Sequence, residues 1–213
     1  SPPTSAASGA TTPPAWTPSS PSRSTSTGCG KSSLLYLLGL LDRASSGALS
    51  IEGQDVGQLD DSARTRTRLA HIGFVFQFHF LLPELTARAN VELPMRKLAR
   101  WSNEEIRARG QALFDKLGLT AEADKRPDRM SGGQRQRVAV ARALANDPEI
   151  VLGDEPTGNL DSGNTTIVVE EFRRLAHEEG RTVICVTHDT DVAAAADRRI
   201  RMLDGRIVSD GRD

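Results

Sequence analysis

The apolar residues of the chain fall into short runs that predict strands. Apolar side chains alternate along 72–76, which is typical of a strand. The run at 150–152 is instead continuously apolar, and the segment 181–188 is rich in β-branched residues and ends in histidine; both indicate buried strands. Turn residues accompany two further segments, so we predict a short strand and turn at 50–56 and a hairpin with Asp-Gly at its turn at 201–208. The pattern predicts an α/β chain with a buried sheet.

Helical periodicity explains most of the remaining apolar positions. Ser131 is a good helix N-cap, and the residues after it present one apolar face up to Pro148. Ser102, with a glutamate three residues later, matches a capping box, which predicts another helix start. We expect a helix at 34–41 to bury its leucines against the sheet. We expect the arginines of 64–68 to form a solvated helix face rather than a phosphate or nucleic-acid site.

The first residues depart from this pattern. Residues 1–24 are rich in Ser, Pro, Thr and Ala, a composition that buries too little apolar surface to fold. We therefore predict that 1–24 is a low-complexity segment, either disordered or anomalous, and that 25–213 forms the folded domain. Pro18 and Pro21 argue against a central strand directly before residue 25, because proline cannot donate to a sheet ladder.

Composition narrows the class of protein. With 213 residues and a net charge of −1, the chain suits one α/β domain with a subdomain, and its charge suggests neither nucleic acid nor an anionic membrane surface. Cys29 and Cys185 fit no metal spacing, which favours a reduced, cytosolic protein. No apolar run approaches the roughly 20 residues that span a bilayer. A role in transport would therefore require another chain to cross the membrane.

The sequence TSTGCGKSS at 25–33 matches most of a phosphate-binding loop. The pattern asks for glycine, four residues and then Gly-Lys-Ser/Thr; Gly30, Lys31 and Ser32 fit, while Thr25 replaces the first glycine. If that position needs a positive φ, a β-branched residue there costs on the order of 1–3 kcal/mol. A turn before a helix, with a solvated lysine, is the alternative interpretation of this segment taken alone.

Two adjacent acids and a serine-glycine-glycine sequence mark the centre of the chain. The strand at 150–152 delivers Asp154 and Glu155 to its carboxyl end, where ligands bind in open α/β sheets. The two glycines after Ser131 leave the backbone bare at a helix start, so an anion could approach the positive end of the helix dipole. A simple acidic loop is the alternative interpretation of the two carboxylates.

These motifs together resemble the ATP-binding subunit of ABC transporters. The resemblance rests on SGGQ at 131–134, the apolar strand that ends in Asp-Glu, and GNLD at 158–161, and it runs from about residue 28 to about residue 210. With FVFQFHFLLPELTA upstream, it is most similar to the branch of lipoprotein-releasing, macrolide-export and cell-division complexes. It implies an ABC-type P-loop NTPase fold with a mostly parallel sheet, a helical subdomain at about 78–145 and an incomplete outer antiparallel β subdomain.

The resemblance also implies a role for each motif residue. Ser32, Gln77 and Asp154 would hold Mg²⁺. Glu155 would accept a proton from the attacking water or orient it, and His188 and Gln77 would contact the same water. The residues implied to bind ATP are Thr25, Ser26, Thr27, Gly28, Cys29, Gly30, Lys31, Ser32, Ser33, Ser131, Gly132, Gly133, Gln134 and Asp161.

The implied function is ATP hydrolysis that powers a membrane complex. The implied partners are an integral membrane permease subunit and a second ATP-binding subunit, with a homodimer favoured by the one complete motif set; nucleic acid is not expected. The chain would lie in the cytoplasm on the inner face of the cell membrane. Phe78 and Phe80 would dock on the permease, with local core packing as the alternative.

Two other functions remain open at this point. An ABC ATPase of translation or chromosome maintenance is disfavoured, because the chain carries one cassette and no sustained heptads that would form a long coiled coil. A catalytically defective relative is the second alternative, because residues 1–24 and Thr25 depart from the family pattern.

Overall fold

The structure is a computed structural model that describes residues 30–212. The predictions for 1–24 and for Thr25 to Cys29 lie outside these residues. The helices are α1 Lys31–Leu38, α2 Asp61–His71, α3 Ala87–Leu98, α4 Asn103–Lys116, α5 Gly132–Leu144, α6 Ser162–His177 and α7 Thr190–Ala194, with 3-10 turns at Thr120–Glu122 and Pro127–Arg129. The strands are β1 Ser50–Ile51, β2 Gln54–Asp55, β3 Ile72–Phe76, β4 Ile150–Asp154, β5 Thr182–Val186, β6 Arg198–Leu203 and β7 Arg206–Arg212.

The centre of the described chain is a parallel sheet in the order β3-β4-β5. Phe76 pairs with Asp154, and Asp154 pairs with Val186, so the three strands end in register. All three were predicted as strands from their apolar runs. The two antiparallel pairs, β1-β2 and β6-β7, confirm the predicted outer turn and the terminal hairpin.

Helices and loops cover both faces of the parallel sheet. On one face, α3 to α6 form the larger core, around residues such as Met95, Phe114 and Val138. On the other face, Leu35 of α1 and the segment that carries β1 and β2 pack against Ile72 and Leu152. Within 30–212, no helix combines the length and the apolar character needed to cross a bilayer.

Helix α1 begins and ends earlier than the sequence predicted. It covers Lys31–Leu38 rather than 34–41, and Leu41 lies beyond it with 45% of its surface exposed. Gly39 is the C-cap, at a point where an added Cβ would lie 2.0 Å from Cζ of Phe74. The ring of Phe74 thus occupies the space next to the helix end, and the chain turns away there.

The arginines of α2 contradict the expectation of a solvated face. Arg68 donates to the carbonyl of Leu40 at 2.8 Å, and Arg64 donates to the same carbonyl at 3.3 Å and to that of Asp42 at 2.6 Å. Only Arg66 of the three is exposed. Two guanidinium groups therefore satisfy carbonyls just beyond the end of α1, where helices leave such groups unpaired.

An ionic network joins α4 to the end of α6 and the start of β5. Glu179 accepts from Lys116 at 2.7 Å, from Arg174 at 2.6 Å and from Arg181 at 2.9 Å. Partial burial favours the neutral form of Glu179, but these three hydrogen bonds outweigh it and lower the pKa to about 2. Arg174 also binds Glu171 through two hydrogen bonds, at 2.7 and 3.0 Å. The network ties the helical part of the chain to the sheet.

We predict that Glu179→Gln lowers the free energy of unfolding in a pH-dependent way. Because its pKa falls from 4.5 to about 2 on folding, Glu179 binds fewer protons in the folded state between these values. Its contribution to the free energy of unfolding is therefore fully present above pH 4.5 and is lost as the pH falls through about 2. Urea unfolding at a series of pH values between 7 and 3 measures the free energy of unfolding of both proteins. The difference between wild type and variant should narrow as the pH falls.

Glu178→Gln is the matched control, since it removes the same charge from an exposed neighbour. Equal behaviour of the two variants at every pH would contradict the role of the network.

Candidate active site

The carboxylate of Asp154 lies where α1 meets the end of β4. Ser32 Oγ donates to Asp154 Oδ1 at 3.0 Å, and the hydroxyl of Tyr36 donates to Oδ2 at 3.0 Å. Burial, and then the hydrogen bond and charge of Asp154, raise the pKa of Tyr36, so the phenol remains a protonated donor. Ser32 and Asp154 were predicted as neighbours in one site, and the structure brings them together.

Tyr36 was not predicted as a site residue from the sequence. Its position four residues after Ser32 places both hydroxyls on the same face of a helix. That spacing is visible in the sequence, but a tyrosine among leucines matches no phosphate-loop pattern.

The start of α1 is suited to an anion. Gly30 is the N-cap with φ 75°, and no side chain within the described residues makes a capping hydrogen bond there. An added Cβ at Gly30 would lie 3.2 Å from the Cα of Gly205, so the left-handed backbone and the close approach both favour glycine. The backbone amides at the start of α1, next to Lys31, provide the positive helix end that binds phosphate in other proteins.

Glu155 and His188 form a pair at the same edge of the sheet. Oε1 of Glu155 lies 2.8 Å from Nδ1 of His188, and Oε2 accepts from the backbone N–H of His188 at 3.4 Å. The Glu155 side chain is 18% exposed and that of His188 is 75% exposed. The carboxylate is thus sheltered, while the imidazole lies at the surface beside it.

The backbone at Glu155 is left-handed, with φ 48°. Such a conformation costs a non-glycine residue roughly 1–2 kcal/mol. Two hydrogen bonds hold it: the N–H of Glu155 donates to the carbonyl of Val186 at 2.9 Å, and its carbonyl accepts from Gly158 at 3.0 Å. The surrounding loop therefore maintains a strained backbone that turns the carboxylate towards His188, as is common at functional sites.

Gln77 is tied to the loop that follows β4. Its N–H donates to the carbonyl of Asp154 at 2.9 Å, which extends the sheet ladder by one residue. Its side-chain amide donates to Oδ1 of Asn159 at 3.4 Å, and Asn159 Nδ2 donates to the carbonyl of Gln77 at 3.3 Å. A Cβ added at Gly158 would lie 2.8 Å from Nε2 of Gln77, so any larger residue there would push this side chain aside.

The predicted residues Ser131 to Gln134 form a second group at the start of α5. Ser131 Oγ accepts from the N–H of Gln134 at 3.2 Å, and Gln134 Oε1 accepts from the N–H of Ser131 at 2.9 Å. The predicted N-cap is therefore confirmed and is part of a full capping box. Among the described residues, no hydrogen bond joins this group to Ser32, Asp154 or Glu155.

Asp161 belongs with this second group. It caps α6 by accepting from the N–H of Asn164 at 2.8 Å, and it also accepts from the side-chain amide of Asn164. The hydrogen bonds from Asn164 lower the pKa of Asp161, so it is held as a carboxylate. A Cβ on Gly133 would lie 2.1 Å from Asn164 Oδ1, so α5 and α6 meet closely here.

Gln136 connects the two groups and was not identified from the sequence. It is buried in α5, and its side-chain amide donates to the carbonyls of Pro156 and Phe76. It thereby links α5 to the loop that carries Glu155 and to the end of β3. A glutamine among the polar residues of QRQR carries no distinctive signal of such burial.

Cys185 is a core residue, as predicted. It lies in β5 and packs against the larger core. Burial raises the pKa of its thiol to about 12, so the thiol stays protonated and unreactive near neutral pH.

A family model described as ABC transporter matches residues 26–158. The chain belongs to the ABC transporter family. The matched segment includes Lys31, Gln77, the 131–134 motif and the acid pair 154–155. These residues belong to the two groups of site residues described above.

Curated relatives and solved structures agree with this assignment. A lipoprotein-releasing system ATP-binding protein, LolD 1 of Chlorobium chlorochromatii, is 49% identical over 86% of this chain and 74% of its own length. The macrolide export ATP-binding/permease protein MacB 2 of Aeromonas hydrophila is 50% identical over 86% of this chain but only 28% of its own length. The dimeric ATP-binding cassette MJ0796, bound to ADP and Pi, is 41% identical with a TM-score of 0.81, over 88% of this chain and 82% of that one.

These findings confirm the predicted fold class, which is an ABC-type P-loop NTPase. They also confirm the predicted ATP-binding and ATP-hydrolysing subunit of an ABC transporter. None of them supports the alternative of a catalytically defective protein.

We predict that Gly158→Ala slows ATP hydrolysis and leaves nucleotide binding nearly unchanged. The new methyl group would displace the Gln77 side chain from the edge of the sheet. Displacing a positioning group by about 1 Å can cost on the order of 100-fold in rate. Steady-state phosphate release and ADP affinity measure the two properties separately.

Gly211→Ala is the control for Gly158→Ala, because a Cβ added at Gly211 meets nothing within 4 Å. Full hydrolysis by Gly158→Ala would show that Gln77 need not occupy its observed position.

Proposed function

We propose that the chain binds Mg-ATP at the carboxyl end of the parallel sheet and hydrolyses it to drive a membrane complex. The observation that carries the proposal is the convergence of Ser32 with Asp154 and of Glu155 with His188 at one sheet edge. Two adjacent carboxylates with different partners can serve two different roles. Asp154 accepts hydrogen bonds from two hydroxyl groups of α1, whereas Glu155 contacts a histidine.

The phosphates of ATP lie against the start of α1. Residues 25–33 supply backbone amides, and Lys31 supplies a positive charge for the β- and γ-phosphates. The uncapped start of α1 and the left-handed Gly30 support this placement, because both leave amides available to an anion.

Ser32, Asp154 and Gln77 are the residues that would hold Mg²⁺. A hydroxyl and a carboxylate 3.0 Å apart are hard oxygen donors of the kind that this cation prefers. Oxygens of the bound phosphates would supply the remaining ligands. When bound, Mg²⁺ neutralises negative charge on the phosphoryl oxygens.

Glu155 receives the proton of the attacking water. The water oxygen bonds to the γ-phosphorus as the bond to the bridging oxygen of ADP breaks, and one water proton passes to the Glu155 carboxylate. His188 holds this carboxylate through its Nδ1 contact of 2.8 Å and its backbone N–H. Gln77 orients the same water from the neighbouring strand end.

Two copies of the chain form the complete ATP site. Residues Ser131 to Gln134 and Asp161 make a group of their own and share no hydrogen bond with the Ser32 and Glu155 groups of the described chain. They are thus available to bind the γ-phosphate of an ATP held by a second copy. A homodimer suffices because each chain carries both groups, and the solved relative MJ0796 is dimeric.

The loop after β3 docks on a permease subunit at the inner face of the cell membrane. Phe78 and Phe80 are 63% and 64% exposed, which favours docking over core packing. Arg142 donates to the carbonyls of His79 at 2.8 Å and Phe80 at 2.6 Å, so α5 holds this loop in place. We assign permease docking to the helical subdomain at about 78–145. Lipoprotein release or macrolide export, named for the relatives, are the candidate processes.

Two substitutions test the hydrolytic function together. Lys31→Ala should abolish Mg-ATP binding, because it removes the charge that faces the phosphates. Glu155→Gln should bind Mg-ATP but lose turnover by at least about 100-fold, since general base catalysis contributes roughly 10²–10⁴ in rate. Binding is measured by calorimetry and turnover by phosphate release.

Lys97→Ala and Glu104→Gln are the matched controls, since both remove the same charges from exposed helix positions outside the site. Wild-type turnover in Glu155→Gln would contradict the assigned role of that residue.

Docking is tested in cells that also express a permease subunit of the lipoprotein-releasing type. The double substitution Phe78→Ser and Phe80→Ser should release the chain from the membrane fraction, because it removes the exposed apolar contact. ATP binding by the purified variant should be retained. The control is Ile167→Ser, which changes an exposed apolar residue of α6. Undiminished membrane association of the double variant would refute docking through these residues.

A further inference from the structure

Tyr36 has no part in the proposed reaction, yet its hydroxyl contacts the Asp154 carboxylate. It is the one tyrosine in the sequence and lies four residues after Ser32 on α1. Its hydroxyl donates to Asp154 Oδ2, while Ser32 donates to Oδ1, both at 3.0 Å. Both oxygens of this carboxylate are thus held by hydroxyl groups from a single helix.

The second hydrogen bond restricts rotation of the Asp154 carboxylate. The terminal torsion of an aspartate is broad and roughly two-fold, so one hydrogen bond leaves the group considerable freedom to rotate. A donor on each oxygen fixes the plane of the carboxylate. Groups beyond the direct ligands that orient them in this way typically change metal affinity by roughly 10- to 100-fold.

The exposure of Tyr36 bears on why a tyrosine stands at this position. Its neighbour Leu35 is buried in the smaller core. Tyr36 is 36% exposed, so part of its surface remains in solvent. The hydroxyl contact with Asp154 is therefore the interaction that distinguishes tyrosine from another apolar residue here.

We propose that Tyr36 is a positioning residue that orients Asp154 for the Mg²⁺ of the bound nucleotide. This inference rests on the proposed function, in which Asp154 and Ser32 hold that cation. Tyr36 itself touches neither the cation nor the nucleotide. Its effect should therefore appear in the dependence on Mg²⁺ and be absent from metal-free nucleotide binding.

Tyr36→Phe tests the proposal, because it removes the hydroxyl and keeps the ring. Binding of the fluorescent nucleotide mant-ADP is titrated with Mg²⁺ and, separately, measured in EDTA. We expect the Mg²⁺ concentration for half-maximal binding to rise about 10- to 100-fold, the range typical for loss of a group that orients a metal ligand. Affinity in EDTA should stay at the wild-type value.

Two further variants separate positioning from a general disturbance of α1. In an Asp154→Asn background, Tyr36→Phe should have no additional effect on the Mg²⁺ dependence, since its target charge is gone. Thr65→Val, which removes a hydroxyl from an exposed position of α2, should match the wild type.

An unchanged Mg²⁺ dependence in Tyr36→Phe would overturn the inference. So would an equal loss of affinity with and without Mg²⁺, because that pattern indicates damage to the phosphate loop. Failure of the wild type to bind mant-ADP at all would instead count against the proposed function itself, so the two failures are distinguishable.

Discussion

The site depends on the register of the parallel sheet, which makes β3, β4 and β5 end in the same row. Phe76, Asp154 and Val186 pair in one row, and the hydrogen bonds continue for one more residue, from Gln77 to Asp154 and from Glu155 to Val186. Because parallel strands share a direction, every residue just beyond that row lies at the same edge. A shift of one residue in β4 that put Glu155 in the place of Asp154, beside α1, would move Asp154 back to the place of Gly153 and to the other face of the sheet.

Polar side chains and closely packed backbone hold this edge of the sheet in place. Gln136 reaches from α5 to the carbonyl of Phe76, the last residue of β3, and to that of Pro156, beyond β4. Gly158 lets Gln77 lie against the loop. The left-handed backbone at Glu155 is maintained within that frame. The same loop leads to Asp161, which caps α6 against the start of α5. A change at one group of site residues can therefore reach the other through the short segment 155–161.

The sequence predicted the elements with the clearest local signals. Apolar and β-branched runs identified β4 and β5, and the capping box at Ser102 and the N-cap at Ser131 identified the starts of two helices. Interactions between distant segments could not be predicted in this way. Arg64 and Arg68 form part of an arginine-rich polar run in sequence, yet they bind carbonyls beyond α1, because the tertiary fold brings α2 beside them. Tyr36 and Gln136 were missed for the same reason, since their partners lie 118 and 20 residues away.

A crystal structure of Glu155→Gln with Mg-ATP tests this site most directly. We expect two copies with ATP between them. In each site, the phosphates would lie at the start of α1, Mg²⁺ beside Ser32 and Asp154, and Ser131 of the second copy at the γ-phosphate. A monomer with ATP at the same edge would contradict the assigned role of the 131–134 group. ATP bound elsewhere on the chain would contradict the central claim that the in-register strand ends form the hydrolytic site.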